Sequence, residues 1–383
     1  MQGFPSQAIF HIAMKKPHQL AVDGISDGLN WFFSRAFTKV TVERNGYDPE
    51  TLRDSMVMVV CTHRSQADYF LFGWTLFDHG VPYPRIAAGD NLTGFPVIGK
   101  KFSAYGAFPV RRDMAFRRTY VRQLCLDVVE MMEDNEPILV FPEGGRSYCG
   151  NMMEMKGGIL MSAILAQARN PDKKVFLLPG AVSYEFLPEL PYFDMLRKGK
   201  EMRKKSNNIF TKAVGNLYYF GADIIAFAKF ILGTRLGFKH GEVFIDFGIP
   251  VCIKELVDIK ANFNAAARDE MSGHQASMRA VCAHLYRTLQ SVYRLLPQHV
   301  VACVLKENPG ITREAAVEAV RSMLARLGGQ KKNLKTLSTL SPEQILAKGL
   351  EQLRHVKAVT VRGNAVTIRK QSIVDYYAAA LAE

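Results

Sequence analysis

No Cys-x-x-Cys pair occurs in this sequence. Its six cysteines (Cys61, Cys125, Cys149, Cys252, Cys282 and Cys303) are scattered over 383 residues. That scatter offers neither a zinc site nor a disulfide framework and fits a reduced compartment. The Gly-x-Ser-x-Gly elbow of a serine nucleophile is missing, as is a His-Glu-x-x-His zinc motif. A phosphate-binding P-loop is nearly present and then fails. Gly94-Phe-Pro-Val-Ile-Gly99-Lys100-Lys101 has Lys101 where Mg²⁺ needs Ser or Thr, and Pro96 removes a backbone N–H from the cradle. The amino terminus lacks a cationic leader followed by a long apolar core, so no signal peptide is expected. Internal repeats and low-complexity tracts are absent too.

What remains is ordinary globular material with an excess of positive charge. Hydrophobic residues make up 48% and charged residues 22%, enough to bury a large core in one large or two modest domains. A net charge of +13 points to an acidic partner: nucleic acid, an anionic membrane surface or a phosphorylated substrate.

Several apolar runs end abruptly in polar loops, the pattern of an α/β domain whose reactive groups sit at strand carboxyl ends. Val57-Met-Val-Val-Cys61 runs into Thr62-His63-Arg64-Ser65, and a helical pattern begins at Asp68-Tyr69. Across such a bend Asp68 can orient His63 as a general base. The same residues also fit a helix cap, with Ser65 followed three residues later by Asp68. Tyr105-Gly-Ala-Phe-Pro-Val-Arg111-Arg112 closes a strand with two arginines, suited to a phosphate or carboxylate or else a solvated charge cluster. Pro137-Ile-Leu-Val-Phe-Pro142-Glu143-Gly144-Gly145-Arg146-Ser147 ends in paired glycines beside a fixed cation, a pattern that lets backbone N–H groups approach an anion. A fourth strand ends at Pro179-Gly-Ala-Val-Ser-Tyr184-Glu185. A base among converging cations implies deprotonation of a neutral nucleophile carried by an anionic substrate, with no metal or bound cofactor required.

These stretches, in this order, resemble the four motif blocks of the glycerolipid acyltransferases, most of all the glycerol-3-phosphate and dihydroxyacetone-phosphate acyltransferase branch. The H-x4-D block is His63 to Asp68, and the glycine-to-arginine block is Gly106 to Arg112. Phe141 to Ser147 matches F-P-E-G-x-R-S, and Pro179 to Glu185 matches the proline block. The resemblance implies an α/β acyltransferase domain with a central mixed sheet flanked by helices. It implies that His63, oriented by Asp68, deprotonates a glycerol hydroxyl, which attacks the thioester of acyl-CoA or acyl-carrier protein. Arg111, Arg112 and Arg146 would bind phosphate. Glu143, Gly144, Gly145 and Ser147 would hold the acceptor, and Pro179, Tyr184 and Glu185 would belong to the acyl-donor block. The implied acceptor is glycerol 3-phosphate, with lysophosphatidate, dihydroxyacetone phosphate or another lipid as alternatives. Gly145 replaces the family's Thr or Ser, and Pro109 an aromatic or aliphatic residue.

The chain divides into three parts: residues 1–45, helical with an aromatic cluster at Trp31, Phe32, Phe33 and Phe37; the catalytic region 46–255; and a smaller helical and α+β region, 256–383. A cationic run, Leu196 to Lys205, precedes an apolar stretch, Leu217 to Leu232, broken by Asp223 and Lys229. A spanning helix needs about 20 mostly apolar residues, so this stretch reads as interfacial or as core. Peripheral or monotopic attachment to the cytoplasmic face of a membrane is the expectation. In the last region Thr312 and Ser341 are placed to cap helices, and Val356 to Arg369 reads as a hairpin before a helix bearing Tyr376 and Tyr377. Helices followed by a hairpin keep a winged-helix DNA-binding protein as the rival of another class. Acidic Glu314, Glu318, Glu343 and Glu351 on those helices argue against nucleic acid.

Overall fold

The run Met56–Cys61 shows why the protein has two cores. In a strand, successive side chains point to opposite faces. Val57, Val59 and Cys61 enter one buried cluster, and Met56, Met58 and Val60 enter another. All six residues are buried, as a central strand covered on both faces requires. The computed structural model describes residues 19–89, 105–111, 114, 117–205, 209–259 and 274–381.

The strands are β1 (Lys39–Glu43), β2 (Met56–Cys61), β3 (Arg85–Gly89), β4 (Ala107–Val110), β5 (Ile138–Val140), β6 (Val175–Tyr184), β7 (Glu242–Phe247) and β8 (Val251–Cys252). They form one eight-stranded sheet in the order β1-β7-β6-β2-β5-β3-β4, with β8 also paired to β6. From β6 to β4 every pairing is parallel, whereas β7 and β8 run antiparallel to β6. The sheet is therefore mixed. β1 lies within the stretch read as helical, and it pairs with β7.

The helices are α1 (Gln19–Ala36), α2 (Asp68–Asp78), α3 (Arg118–Glu133), α4 (Met161–Arg169), α5 (Phe193–Lys205), α6 (Ile209–Arg235), α7 (His274–Val292), α8 (Pro297–Glu307), α9 (Arg313–Gly328), α10 (Pro342–His355) and α11 (Gln371–Ala378). Buried residues of α3, α4 and α7 cover the β2 face that carries Met56, Met58 and Val60. The other face is shared by α1, α2, α6 and the helices after residue 295.

Residues 297–378 place three helices, a hairpin and α11 against the sheet. The expected caps are present: the Thr312 hydroxyl accepts from the Ala315 N–H, and Ser341 with Gln344 forms a capping box behind Pro342. The hairpin pairs Val359–Arg362 with Ala365–Ile368. Core residues from Phe33 to Leu381 belong to one apolar cluster, so this region shares its core with the sheet. A buried ion pair, Arg294 to Asp246 of β7 (2.7 Å), adds a polar link.

Candidate active site

β2 is flanked by β5 and β6. The loops leaving the carboxyl ends of these three parallel strands therefore meet. They carry His63 and the Glu143–Ser147 segment, and β6 itself ends in Tyr184.

His63 Nδ1 lies 3.0 Å from Asp68 Oδ2. The same oxygen accepts the backbone N–H groups of Arg64 (2.5 Å) and Ser65 (2.8 Å). The other oxygen, Oδ1, accepts the hydroxyl of Tyr184. Four donors converge on one side chain, an arrangement that calls for an ionised, acceptor-only carboxylate. The contact that the catalytic reading needs is present, and so is half of the expected capping pair: Asp68 accepts the Ser65 N–H, while the Asp68 N–H goes to the Ser65 carbonyl and not to its hydroxyl. The ring of His63 stacks on Phe141 (4.4 Å) and meets Tyr69 edge-on (5.0 Å). His63 is only 3% exposed, and the apolar rings around it fix its plane.

The Pro142–Ser147 loop closes the next side. Glu143 is buried; one of its oxygens accepts the His63 N–H (3.1 Å) and the other the Met153 N–H (2.9 Å). Burial pushes its carboxyl above the usual range, against the pull of Arg64. Gly144 has φ +68, where a side chain would be strained, and a Cβ there would meet Lys156 Nζ at 2.6 Å. The Ser147 N–H donates to the His63 carbonyl (3.4 Å), while its buried hydroxyl has no hydrogen-bond partner.

Arg146 is 3% exposed and already paired. Nη2 contacts Asp223 of α6 at 2.6 Å, and Nη1 lies 3.8 Å from Glu189. Nη1 makes no hydrogen bond. Asp223 also accepts from Gln66 (2.8 Å), and Glu189 accepts from the Ser65 hydroxyl (2.8 Å) and the Gln66 N–H (2.8 Å). Burial pushes the Glu189 carboxyl up, opposed by Arg146. Arg64, Gln66, Glu189 and Asp223 were not singled out as site residues from sequence. Asp223 gave one signal, an acid inside an apolar helical stretch.

The remaining site residues lie further off. Arg111 is exposed at the end of β4, three strands from β2, and its N–H donates to the Tyr120 hydroxyl (2.7 Å). Arg112 and the Gly94–Lys101 stretch lie outside the described residues. Pro179 is buried within β6 opposite Val60. Glu185 points toward the carboxyl-terminal region: its oxygens accept from the Glu242 N–H (2.8 Å) and from Gln352 (2.7 Å). Gly145 is half-buried in the loop between Glu143 and Arg146. The backbone of Tyr376 packs against Gly150, where an added Cβ would meet its carbonyl oxygen.

Comparison with known proteins finds similarity over the stretch that carries this geometry. Residues 41–183 match the family model named Acyltransferase. Glycerol-3-phosphate acyltransferase of Xylella fastidiosa strain M12 is 27% identical over 329 residues, which cover 82% of this chain and 35% of that protein. The protein of that name from Hamiltonella defensa is 29% identical over 236 residues, covering 60% of this chain and 26% of its own length. The matched stretch thus spans about a third or less of these curated relatives. The crystal structure of the 1-acyl-sn-glycerophosphate acyltransferase from Thermotoga maritima overlaps 73% of this chain and 83% of its own, with TM-score 0.39 and 17% identity. The segment that carries His63, Asp68, Glu143 and Arg146 is the one that matches the Acyltransferase family model and aligns with these glycerol-3-phosphate acyltransferases.

Proposed function

We propose that this protein transfers a fatty acyl group from an acyl thioester, either acyl-CoA or acyl-carrier protein, to the sn-1 hydroxyl of glycerol 3-phosphate. The observation that carries this reading is the contact between His63 Nδ1 and Asp68 at the strand ends, inside a domain whose relatives are glycerol-3-phosphate acyltransferases. With Nδ1–H given to the carboxylate, the basic lone pair is on Nε2. Nε2 takes the hydroxyl proton as the substrate oxygen attacks the thioester carbon. The tetrahedral adduct then expels the thiolate, which takes the proton back from the imidazolium. The acyl group passes directly to the acceptor and no acyl-enzyme forms.

The phosphate falls to Arg111 and Arg112 after β4 and to Arg146. For Arg146 to serve, the phosphate must take the place of Asp223 or Glu189 on its guanidinium. The Ser147 hydroxyl and Arg146 Nη1 support this placement, since buried groups without a hydrogen-bond partner are rare in folded proteins.

We place the reaction at an anionic membrane surface on the cytoplasmic side. Among the described residues no helix is long and apolar enough to cross a membrane. However, α6 exposes Tyr218, Ile224, Ile225 and Leu232, and Leu236 and Phe238 follow just past its end. Exposed Lys229, Arg235 and Lys239 lie among them, a pairing of apolar and basic groups suited to anionic headgroups.

The deciding assay incubates purified protein with palmitoyl-CoA and radiolabelled glycerol 3-phosphate, dihydroxyacetone phosphate or lysophosphatidate. Glycerol 3-phosphate should be the preferred acceptor. His63→Ala should lower turnover by about 100-fold or more, the lower bound for a positioned base, with an unchanged circular dichroism spectrum. Near-normal turnover in that variant would remove the base assignment.

A further inference from the structure

The resemblance assigns Tyr184 to the block that handles the acyl donor, yet its hydroxyl is directed at Asp68. We infer that Tyr184 is a positioning residue for the base, holding Oδ1 of Asp68 so that Oδ2 stays on His63. This rests on the proposal that His63 is the base.

Oδ2 is shared by three donors, and all of them come from the His63 loop itself. Those contacts are local, and the loop reaches β6 through Thr62, which bonds Gly180 and Val182. Tyr184 reaches the carboxylate itself from that strand. It is the last residue of β6, in register with Val243 of β7. Its ring packs near Phe37 (6.0 Å), and its carbonyl accepts from Gln298 (3.1 Å). The hydroxyl therefore anchors Asp68 to the sheet and, through Gln298, to α8. Burial first, and then the charge of Asp68, push the phenol well above its usual pKa. It stays a donor at any working pH.

The same bond tunes the dyad. A donor on Oδ1 draws off part of the negative charge that would otherwise act on the imidazole, which keeps His63 less basic. Other titratable groups coupled to Asp68 are Cys61 on β2, Arg64 in the loop, Glu143, Glu189, and Tyr293 and Tyr376 from the carboxyl-terminal region. Tyr69 of α2 touches the His63 ring. Removing one hydroxyl at residue 184 leaves all of these in place.

The test compares wild type, Tyr184→Phe and His63→Ala, using glycerol 3-phosphate and palmitoyl-CoA across a pH series. Tyr184→Phe keeps the ring that packs near Phe37, and its thermal melt reports whether the fold is kept. Loss of one charge-assisted hydrogen bond should lower kcat about tenfold. Both KM values should stay within about twofold, because a group that acts through Asp68 touches neither substrate. The acid limb of the kcat profile should move to higher pH as His63 becomes more basic. A raised KM for palmitoyl-CoA with an unmoved limb would return Tyr184 to the donor. A lowered kcat with an unmoved limb would reduce it to a structural part. An inactive His63→Ala beside a wild-type-like Tyr184→Phe overturns this inference alone, whereas an active His63→Ala overturns the base reading beneath it.

Discussion

Arg146 sits between Asp223 at 2.6 Å and Glu189 at 3.8 Å, all three buried. Removing one member of such a group leaves like charges facing each other without water. Breaking a buried pair in this way costs about 3–5 kcal/mol. Arg146→Ala should therefore lower the urea midpoint of unfolding, and Arg146→Ala combined with Asp223→Asn should recover part of the loss. A single variant with an unchanged midpoint and an acceptor KM raised about tenfold would show instead that Arg146 only reads phosphate. At this scale the sequence was legible where the chemistry is local. His63 and Asp68 are five residues apart, and a strand end followed by a helix start forces them together. The partners of Arg146 were illegible, because Glu189 and Asp223 arrive from a later loop and a distant helix. No spacing rule connects residue 146 with residue 223.

Among the elements, α6 has two distinct faces. Asp223 turns inward onto Arg146 and Gln66, whereas Ile225 and Leu232 turn outward. The sequence showed an apolar stretch with two interruptions, and the structure separates them: Asp223 is buried and paired, while Lys229 is exposed and lies over the Tyr192 ring (5.3 Å). Changing Ile225, Leu232 and Leu236 together to Asn should weaken flotation with anionic vesicles by about tenfold or more, given the apolar area removed. Activity on detergent-dispersed substrate should survive. High salt should release only part of the wild type, since it shortens the screening length from ~8 Å at physiological ionic strength to ~3 Å at about 1 M but leaves apolar burial in place. A wild-type protein that stays in the soluble fraction at low salt with anionic vesicles would overturn the membrane reading. Elements with strong local grammar were readable from sequence, as the capping box at Ser341 and the hairpin at Gly363-Asn364 show. β1 was not, because Lys39–Glu43 becomes a strand only through β7.

For the molecule as a whole, two buried histidines set a pH response. Burial, then the charge of Arg64, pushes His299 from 6.5 down to about 3, and burial with His355 pushes His240 to about 4. His299 stays neutral and accepts the Leu296 N–H at 3.0 Å, capping α8. The unfolded chain binds these protons below pH 6.5 and the folded one does not. Stability from these groups is complete above 6.5 and is lost as pH falls toward 3 or 4, at about 1.4 kcal/mol per pH unit for each. Glu143 and Glu189, whose carboxyls are raised, act in the opposite sense. Urea midpoints from pH 7 to pH 4 should fall for wild type, and His299→Gln should flatten the slope. An identical slope in the variant would mean that His299 is not held neutral.

The pairing of β1 with β7 carries a consequence for how the protein is made. Glu43 finds its partner Asp246 roughly 200 residues later in the chain. At about 5–20 residues per second of synthesis, the amino-terminal strand waits on the order of 10–40 s for the strand beside it. Throughout that interval Lys39–Glu43 offers open backbone donors and acceptors to any passing chain. Its charged ends, Lys39 and Glu43, are the kind of residue that discourages such pairing. A newborn chain stalled before residue 242 would keep that edge open, so slow translation of the middle third is where aggregation should begin.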